Sequence, residues 1–133
     1  MSTILLDTNA YGAFFSGNES VLSYIIEAES IVVSSIVVGE LFAGFHGGKG
    51  FSQNRADLRL FLTKPGVQFV PVDWETAEIF GEVKNRLKTA GTQIPINDVW
   101  IAAHAFQMGA KLVTFDKHFL NVAGLRVWEG MES

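Results

Sequence analysis

The chain has 133 residues, of which 48% are apolar and 18% charged, and this composition favours one packed domain over a disordered chain. The absence of cysteine excludes disulfide bonds, thiolate metal sites and a cysteine nucleophile, so any metal ion must be held by oxygen or imidazole ligands. The net charge of −4 argues against a general polyanion binder, and the longest apolar runs are too short for a membrane span, so we expect a soluble, cytoplasmic protein.

The first predicted element is a short strand over residues 3–6, whose sequence TILL suits a strand that is buried on both faces. Asp7 follows this strand directly, where the chain changes to the amphipathic segment 8–15. An aspartate at this position is typical of a helix N-cap, because its carboxylate can accept a hydrogen bond from a free backbone amide.

The next apolar segment, SIVVSSIVVGELFAGF over residues 30–45, is ambiguous by periodicity. We predict a strand, an N-cap at Ser34 or Ser35, and then a helix that carries Glu40. A single strand that continues through Val38 is the alternative.

A glycine cluster, GFHGGKG, occupies residues 44–50. It does not fit a Walker A phosphate loop, because Ala43 stands where the motif needs its first glycine and Gly50 where it needs serine or threonine. We therefore predict a flexible connection between helices.

The second half of the chain predicts a strand, two helices and a strand, over residues 67–72, 73–89, 98–108 and 111–115. Both strands resemble residues 3–6 and suit burial on both faces. Asp73 and Asp98 stand at the expected N-caps of the two helices, and Gly91 and Gly109 at their ends. The apolar faces of the helices comprise Ala77, Phe80, Val83 and Leu87, and Val99, Ala102, Ala103 and Phe106.

Strands that alternate with helices predict an α/β fold in which helices cover both faces of a parallel sheet. Ligands bind such sheets beyond the carboxyl ends of the strands. Asp7 and Asp116 both follow strand ends, Asp98 opens a helix, and Glu40 lies just inside another helix. We therefore expect these acids to converge at one edge of the sheet.

Each of the three aspartates could instead serve only as a helix N-cap. Capping does not explain Glu40, an acidic residue inside a mostly apolar helical segment. Clustered carboxylates raise one another's pKa values unless a cation neutralises them, so the cluster predicts a metal ion. Oxygen ligands favour Mg²⁺, with Mn²⁺ as the alternative, over Zn²⁺.

Four segments in this order, LLDTNAY, SIVVGELFAGF, IPINDVWIAAHA and LVTFDKHF, resemble the motifs of PIN-domain ribonucleases, and specifically the VapC-like toxins of prokaryotic toxin–antitoxin pairs. The resemblance spans nearly the whole chain and implies one PIN-like domain over residues 1–133, with an α/β/α sandwich around a parallel sheet. It implies an acidic, metal-binding and catalytic quartet of Asp7, Glu40, Asp98 and Asp116, with Asn9 and Thr114 as supporting polar residues.

The activity that this resemblance implies is Mg²⁺-dependent endonucleolytic cleavage of structured RNA such as tRNA or rRNA by a metal-activated water. Such an enzyme is a toxin held inactive by a cognate antitoxin protein, and a homodimer is expected. Hydrolysis by water leaves a 5′-phosphate and a 3′-hydroxyl.

Other functions and mechanisms fit these residues less well. The histidines His46, His104 and His118 could supply metal-free acid–base catalysis, but nothing in the sequence places them together. A PIN-like module that binds RNA or protein without cutting it would have no need of four mutually repelling acids. A receiver-like or phosphatase-like domain is a further alternative. The phosphatase type requires a second aspartate at the position where this chain has Asn9.

Basic residues offer two candidate RNA-binding tracks, each of which could equally be an ordinary charged helix surface. The first comprises Lys49, Arg55, Arg59 and Lys64. The second comprises Lys84 and Arg86, although these two and Lys88 fit better as cations that complement the C-terminal end of a helix dipole. Phenylalanines at positions 14, 15, 42 and 45 suggest, besides core packing, a surface that an antitoxin segment or a second copy covers.

Overall fold

The computed structural model describes residues 2–132, and side chains over residues 2–130. In chain order its regular elements are β1 (Thr3–Leu6), α1 (Thr8–Phe15), α2 (Glu19–Glu27), β2 (Ser30–Ser34), α3 (Ser35–Gly47), α4 (Phe51–Leu62), β3 (Val67–Val70), α5 (Trp74–Ala90), α6 (Ile96–Met108) and β4 (Lys111–Val113). Two 3₁₀-helices, Lys117–Asn121 and Glu129–Glu132, follow β4. Within the described residues, no helix combines the length and the hydropathy needed to cross a bilayer.

Local capping explains where several helices begin and end. Side chains accept hydrogen bonds from first-turn backbone amides at the N-caps Asp7, Asn18, Ser34 and Asp73. The cap at Ser34 confirms the predicted change from strand to helix and excludes a single strand through Val38. Gly91 and Gly109 end α5 and α6 in the left-handed conformation that glycine adopts without strain.

The four strands form one parallel sheet in the order β3-β2-β1-β4. Helices flank this sheet, with α6 against β1, β2 and β4, and α5 packed on α6. The predicted α/β fold is therefore confirmed. All strands point the same way, so their carboxyl ends meet at one edge, where Leu6 of β1 is paired with Val113 of β4. Asp7 and Thr114, which directly follow these two residues, belong to the candidate site.

The C-terminal segment extends the sheet beside β4. The backbone amide of Leu112 donates to the Arg126 carbonyl at 2.8 Å, and the Trp128 amide donates to the Leu112 carbonyl at 3.0 Å. The Trp128 indole is fully buried and meets the Tyr24 ring edge-on, with 5.4 Å between centroids. The predicted elements stopped at residue 115 and did not include this segment.

Two details of the predicted strand and helix faces are wrong. β3 ends at Val70, and its residues Gln68 and Phe69 are exposed because it is an edge strand, so it is not buried on both faces. On α5, Ala77 is exposed and the buried position beside it belongs to Thr76, whose hydroxyl is bonded within a polar network.

Two predicted helix boundaries are also corrected. The helix α3 continues through Gly47, so only residues 48–50 of the glycine cluster form the connection to α4. The helix α6 begins at Ile96 after Pro95, which places Asp98 inside the first turn and not at the N-cap. A proline before the first helical residue has a fixed φ that suits this start.

Candidate functional site

Asp7 links the ends of the neighbouring strands β1 and β4 at the carboxyl edge of the sheet. Its backbone amide donates to the Val113 carbonyl at 3.2 Å, and its Oδ1 accepts from the Ala10 amide at 2.8 Å. Its Oδ2 accepts from the Thr114 hydroxyl. With 6% of its surface exposed, the Asp7 side chain is buried. Burial, together with the charges of Asp98 and Asp116, raises its pKa to about 6, although the hydrogen bonds from Thr114 and Ala10 act to lower it.

Thr114 connects Asp7 to Asp116. Its hydroxyl donates to Asp7 and accepts from the Asp116 backbone amide at 2.9 Å. The carbonyl of Thr114 accepts from the buried Trp128 indole nitrogen at 2.5 Å. Trp128 therefore fixes the backbone at Thr114, two residues before Asp116. No local sequence signal indicated this role.

Asp98, Asp116 and His118 form a compact cluster beside Asp7. One ligand atom from each of the three lies within 4.8 Å of the others. The His118 Nδ1 lies 2.9 Å from Asp116 Oδ1 and 3.6 Å from Asp98 Oδ2. Burial raises the pKa of Asp98, and the charges of Asp116 and Glu40 raise it further, whereas His118 lowers it. Because two carboxylates and an imidazole lie this close together, the group is a candidate cation site.

Glu40 completes the acidic edge from the opposite side. Its Oε1 accepts from the Thr8 hydroxyl at 2.6 Å, and its Oε2 accepts from the Asn97 side-chain amide at 3.4 Å. Thr8 directly follows Asp7, and Asn97 directly precedes Asp98. Each hydrogen bond therefore links Glu40 to a segment that carries one of the other acids. The structure thus brings the four predicted acids to one edge of the sheet.

The capping alternative holds for two of the three aspartates. Asp7 caps α1, and Asp116 caps the 3₁₀-helix by accepting from the His118 amide at 2.9 Å. Asp98 makes no such cap. Its carboxylate faces His118 and the other acids, which capping does not explain.

Sequence patterns missed two polar residues at this edge, Thr8 and Asn97, and named His118 only for metal-free catalysis. Each is a chain neighbour, or next but one, of a predicted acid, and this adjacency was the signal available. The predicted supporting residue Asn9 is exposed and makes none of the side-chain hydrogen bonds found over residues 2–130. Its role stays a prediction.

A family model described as the PIN domain matches residues 4–125. The chain belongs to the PIN-domain family. This PIN-domain protein is 31% identical over 105 residues to ribonuclease VapC2 of Rickettsia felis, which covers 78% of this chain and 77% of the relative. It is 34% identical over 100 residues to ribonuclease VapC2 of Haemophilus influenzae, with 74% of each chain covered.

A solved structure of VapBC2 from Rickettsia felis, bound to a DNA fragment from their promoter, has the same fold as this PIN-domain protein. The TM-score is 0.82 at 28% identity, with 95% of this chain and 97% of the other covered. The family match over residues 4–125 includes all four residues of the acidic edge.

The three histidines of the PIN-domain protein lie in three different environments. His46 packs against the Phe51 ring, with 4.3 Å between centroids and the two rings tilted by 31°. His104 is buried, with Nδ1 2.7 Å from the Ser34 hydroxyl and Nε2 3.2 Å from the Pro71 carbonyl. Since a carbonyl only accepts, Nε2 donates to Pro71, and Nδ1 of the neutral ring accepts from Ser34. Only His118 belongs to the acidic edge.

The predicted RNA-binding residues of the PIN domain lie on two different helices. Arg55 and Arg59 share an exposed groove on α4 with Phe51, Ser52 and Ala56. On α5, Lys84 donates to Gln93 at 3.0 Å, and Arg86 forms an exposed ion pair with Glu82 at 3.9 Å. Gln93 lies in the connection between α5 and α6. Lys49 and Lys64 flank α4, and Lys88 lies in the last turn of α5.

Proposed function

We propose that this PIN-domain protein is a metal-dependent endoribonuclease and the toxin of a toxin–antitoxin pair. The observation that carries the proposal is the acidic edge, where Asp7, Asp98, Asp116 and Glu40 lie within electrostatic reach of one another. The names of the relatives, VapC ribonucleases, supply the chemistry for such an edge. The whole chain acts as one PIN domain.

The donor chemistry of the edge fits a divalent cation. Carboxylates that raise one another's pKa values are stabilised by a bound positive charge. Asp7, Asp98, Asp116 and Glu40 would hold the ion, and oxygen ligands of this kind suit Mg²⁺ or Mn²⁺. When bound, such an ion lowers the pKa of water and offsets negative charge on a phosphate.

The residues around the ion position the reactants. Thr8 and Asn97 fix both oxygens of Glu40, so its carboxylate stays oriented toward Asp7 and Asp98. Thr114 fixes Asp7 and the Asp116 backbone in the same way. Attack by water, and not by the 2′-hydroxyl of the RNA, would leave a 5′-phosphate and a 3′-hydroxyl.

We place the RNA along the basic residues, with tRNA and rRNA as the expected targets. Lys84 and Arg86 on α5, together with Arg55 and Arg59 on α4, would bind phosphates on either side of the cut. These contacts are electrostatic, so RNA affinity should fall steeply as salt concentration rises.

We further propose a cognate antitoxin and a homodimer as protein partners, in the cytoplasm. Tyr11, Phe15, Leu41 and Phe45 line an open groove between α1, α3 and α4, and Phe15 is 48% exposed. An apolar antitoxin segment would bury this groove. The proposal is supported by the structural similarity to a VapBC complex.

The test is cleavage of total cellular RNA by the purified protein, followed by sequencing of the new RNA ends. Discrete 5′-phosphate ends that require Mg²⁺ and disappear with EDTA or Asp98→Asn would support the proposal. Asp57→Asn is the matched control, because Asp57 is a surface residue of α4 bonded to Gln53. Cuts that resist EDTA and end in cyclic phosphate, or full activity of Asp98→Asn, would refute it. Mg²⁺ binding without cutting would favour a non-catalytic module.

A further inference from the structure

His118 is anchored so that its imidazole stays at the acidic edge. Its backbone amide donates to Asp116 Oδ1 at 2.9 Å, within the 3₁₀-helix that Asp116 caps. Its Nδ1 lies 2.9 Å from the same oxygen and 3.6 Å from Asp98 Oδ2. The side chain is 53% exposed, so a hydrated ion could reach the ring without passing through the core.

The separations between these donor atoms are those of ligands around one ion. Nitrogen and oxygen ligands lie about 2.1 Å from a small divalent cation. Two such ligands at a right angle are roughly 3.0 Å apart, and two at 120° roughly 3.6 Å apart, by the geometry of those bond lengths. The two His118 contacts, at 2.9 and 3.6 Å, match this range.

We propose that His118 is a further protein ligand of the metal site, grouped with Asp98 and Asp116, and that it gives the site a preference for imidazole-binding metals. This inference rests on the metal site of the proposed function. Carboxylates and water suit Mg²⁺, whereas imidazole adds affinity for ions such as Co²⁺, Ni²⁺ and Zn²⁺. The PIN domain would therefore bind Co²⁺ or Zn²⁺ more tightly than Mg²⁺, by a margin that depends on His118.

A simpler role for His118 is that of a counter-charge for the two carboxylates when no ion is bound. The two roles predict opposite effects of removing the ring. A counter-charge competes with an incoming cation, so its removal would tighten binding of every divalent ion. A ligand contributes to binding, so its removal would weaken binding of the imidazole-preferring ions selectively.

The experiment is calorimetric titration of the full chain with Co²⁺ and, separately, with Mg²⁺. The variants are His118→Ala and His118→Gln, with His46→Ala as the matched control, because His46 is an exposed histidine that packs against Phe51 and is outside this cluster. We expect both His118 variants to lose about tenfold or more in Co²⁺ affinity. We expect them to lose less than about twofold in Mg²⁺ affinity, with His46→Ala unchanged.

A second readout identifies the ligand atom directly. With ¹⁵N-labelled histidine, Zn²⁺ should shift the Nδ1 resonance of His118 and leave those of His46 and His104 in place. Equal or tighter Co²⁺ binding by His118→Ala, or an unshifted His118 resonance in a Zn²⁺-loaded protein, would overturn this proposal alone. No divalent binding by the wild-type protein would overturn the metal site of the proposed function as well.

Discussion

The substitution Asp7→Asn should stabilise the metal-free protein near neutral pH. Asp7 is buried beside the other acids, and its pKa is raised from 3.8 to about 6. At pH 7 the carboxylate is therefore charged in an environment that disfavours the charge. Asparagine has a similar shape, carries no charge, and can still accept the hydrogen bond from the Ala10 amide.

The shift from 3.8 to about 6 corresponds to about 3 kcal/mol of differential stability between the charged and neutral forms. The substitution also removes the charged acceptor of the Thr114 hydroxyl, which costs roughly 1 kcal/mol. The net gain in the free energy of unfolding at pH 7 is then about 2 kcal/mol.

The pH dependence follows from the sign of this shift. Because the pKa of Asp7 is raised on folding, the native state binds more protons than the unfolded state between about pH 4 and pH 6. Wild-type stability from this group is present below about pH 4 and is lost as the pH rises through about 6. Asp7→Asn should be slightly less stable than wild type at pH 4 and more stable at pH 7.

The assay is urea unfolding in EDTA at intervals of pH from 4 to 8. Asp73→Asn is a control in which the pKa shift has the opposite sign, because first-turn hydrogen bonds lower the pKa of this exposed N-cap. Its stability contribution is present at neutral pH and is lost only in acid, so that variant should be destabilised by a constant amount above pH 4. A difference between Asp7→Asn and wild type that stays flat from pH 4 to 7 would refute the electrostatic explanation.

Two substitutions outside the acidic edge test how the edge is supported. Ser34→Ala removes the N-cap of α3 and leaves His104 Nδ1 without a partner, so it should cost roughly 1–3 kcal/mol in urea unfolding. Ser35→Ala is its control, and an equal loss there would contradict the cap. Trp128→Phe removes the indole donor to the Thr114 carbonyl and should cost roughly 1–3 kcal/mol. It should also weaken divalent-ion binding in titrations, and unchanged binding would separate Trp128 from the site.

Local signals in the sequence were enough to predict much of the fold. The caps at Asp7, Ser34 and Asp73, and the glycines that end α5 and α6, act on backbone groups within a few residues of themselves. Buried parallel strands are short apolar runs, and β1 and β2 were found in this way. The exposed edge strand β3 was misjudged because exposure depends on strand order, which the apolar run does not encode.

The sequence by itself determined that strands and helices alternate and that acids follow strand ends, because hydrophobic periodicity and capping are local properties. The tertiary structure decided which polar side chains meet. Thr8 reaches Glu40 across 32 residues of chain, and Trp128 reaches the Thr114 carbonyl from a segment that pairs with β4 only in the folded state. His118 meets Asp98 only because the 3₁₀-helix packs against the first turn of α6. Such contacts depend on the path of the whole chain, and no local pattern specifies them.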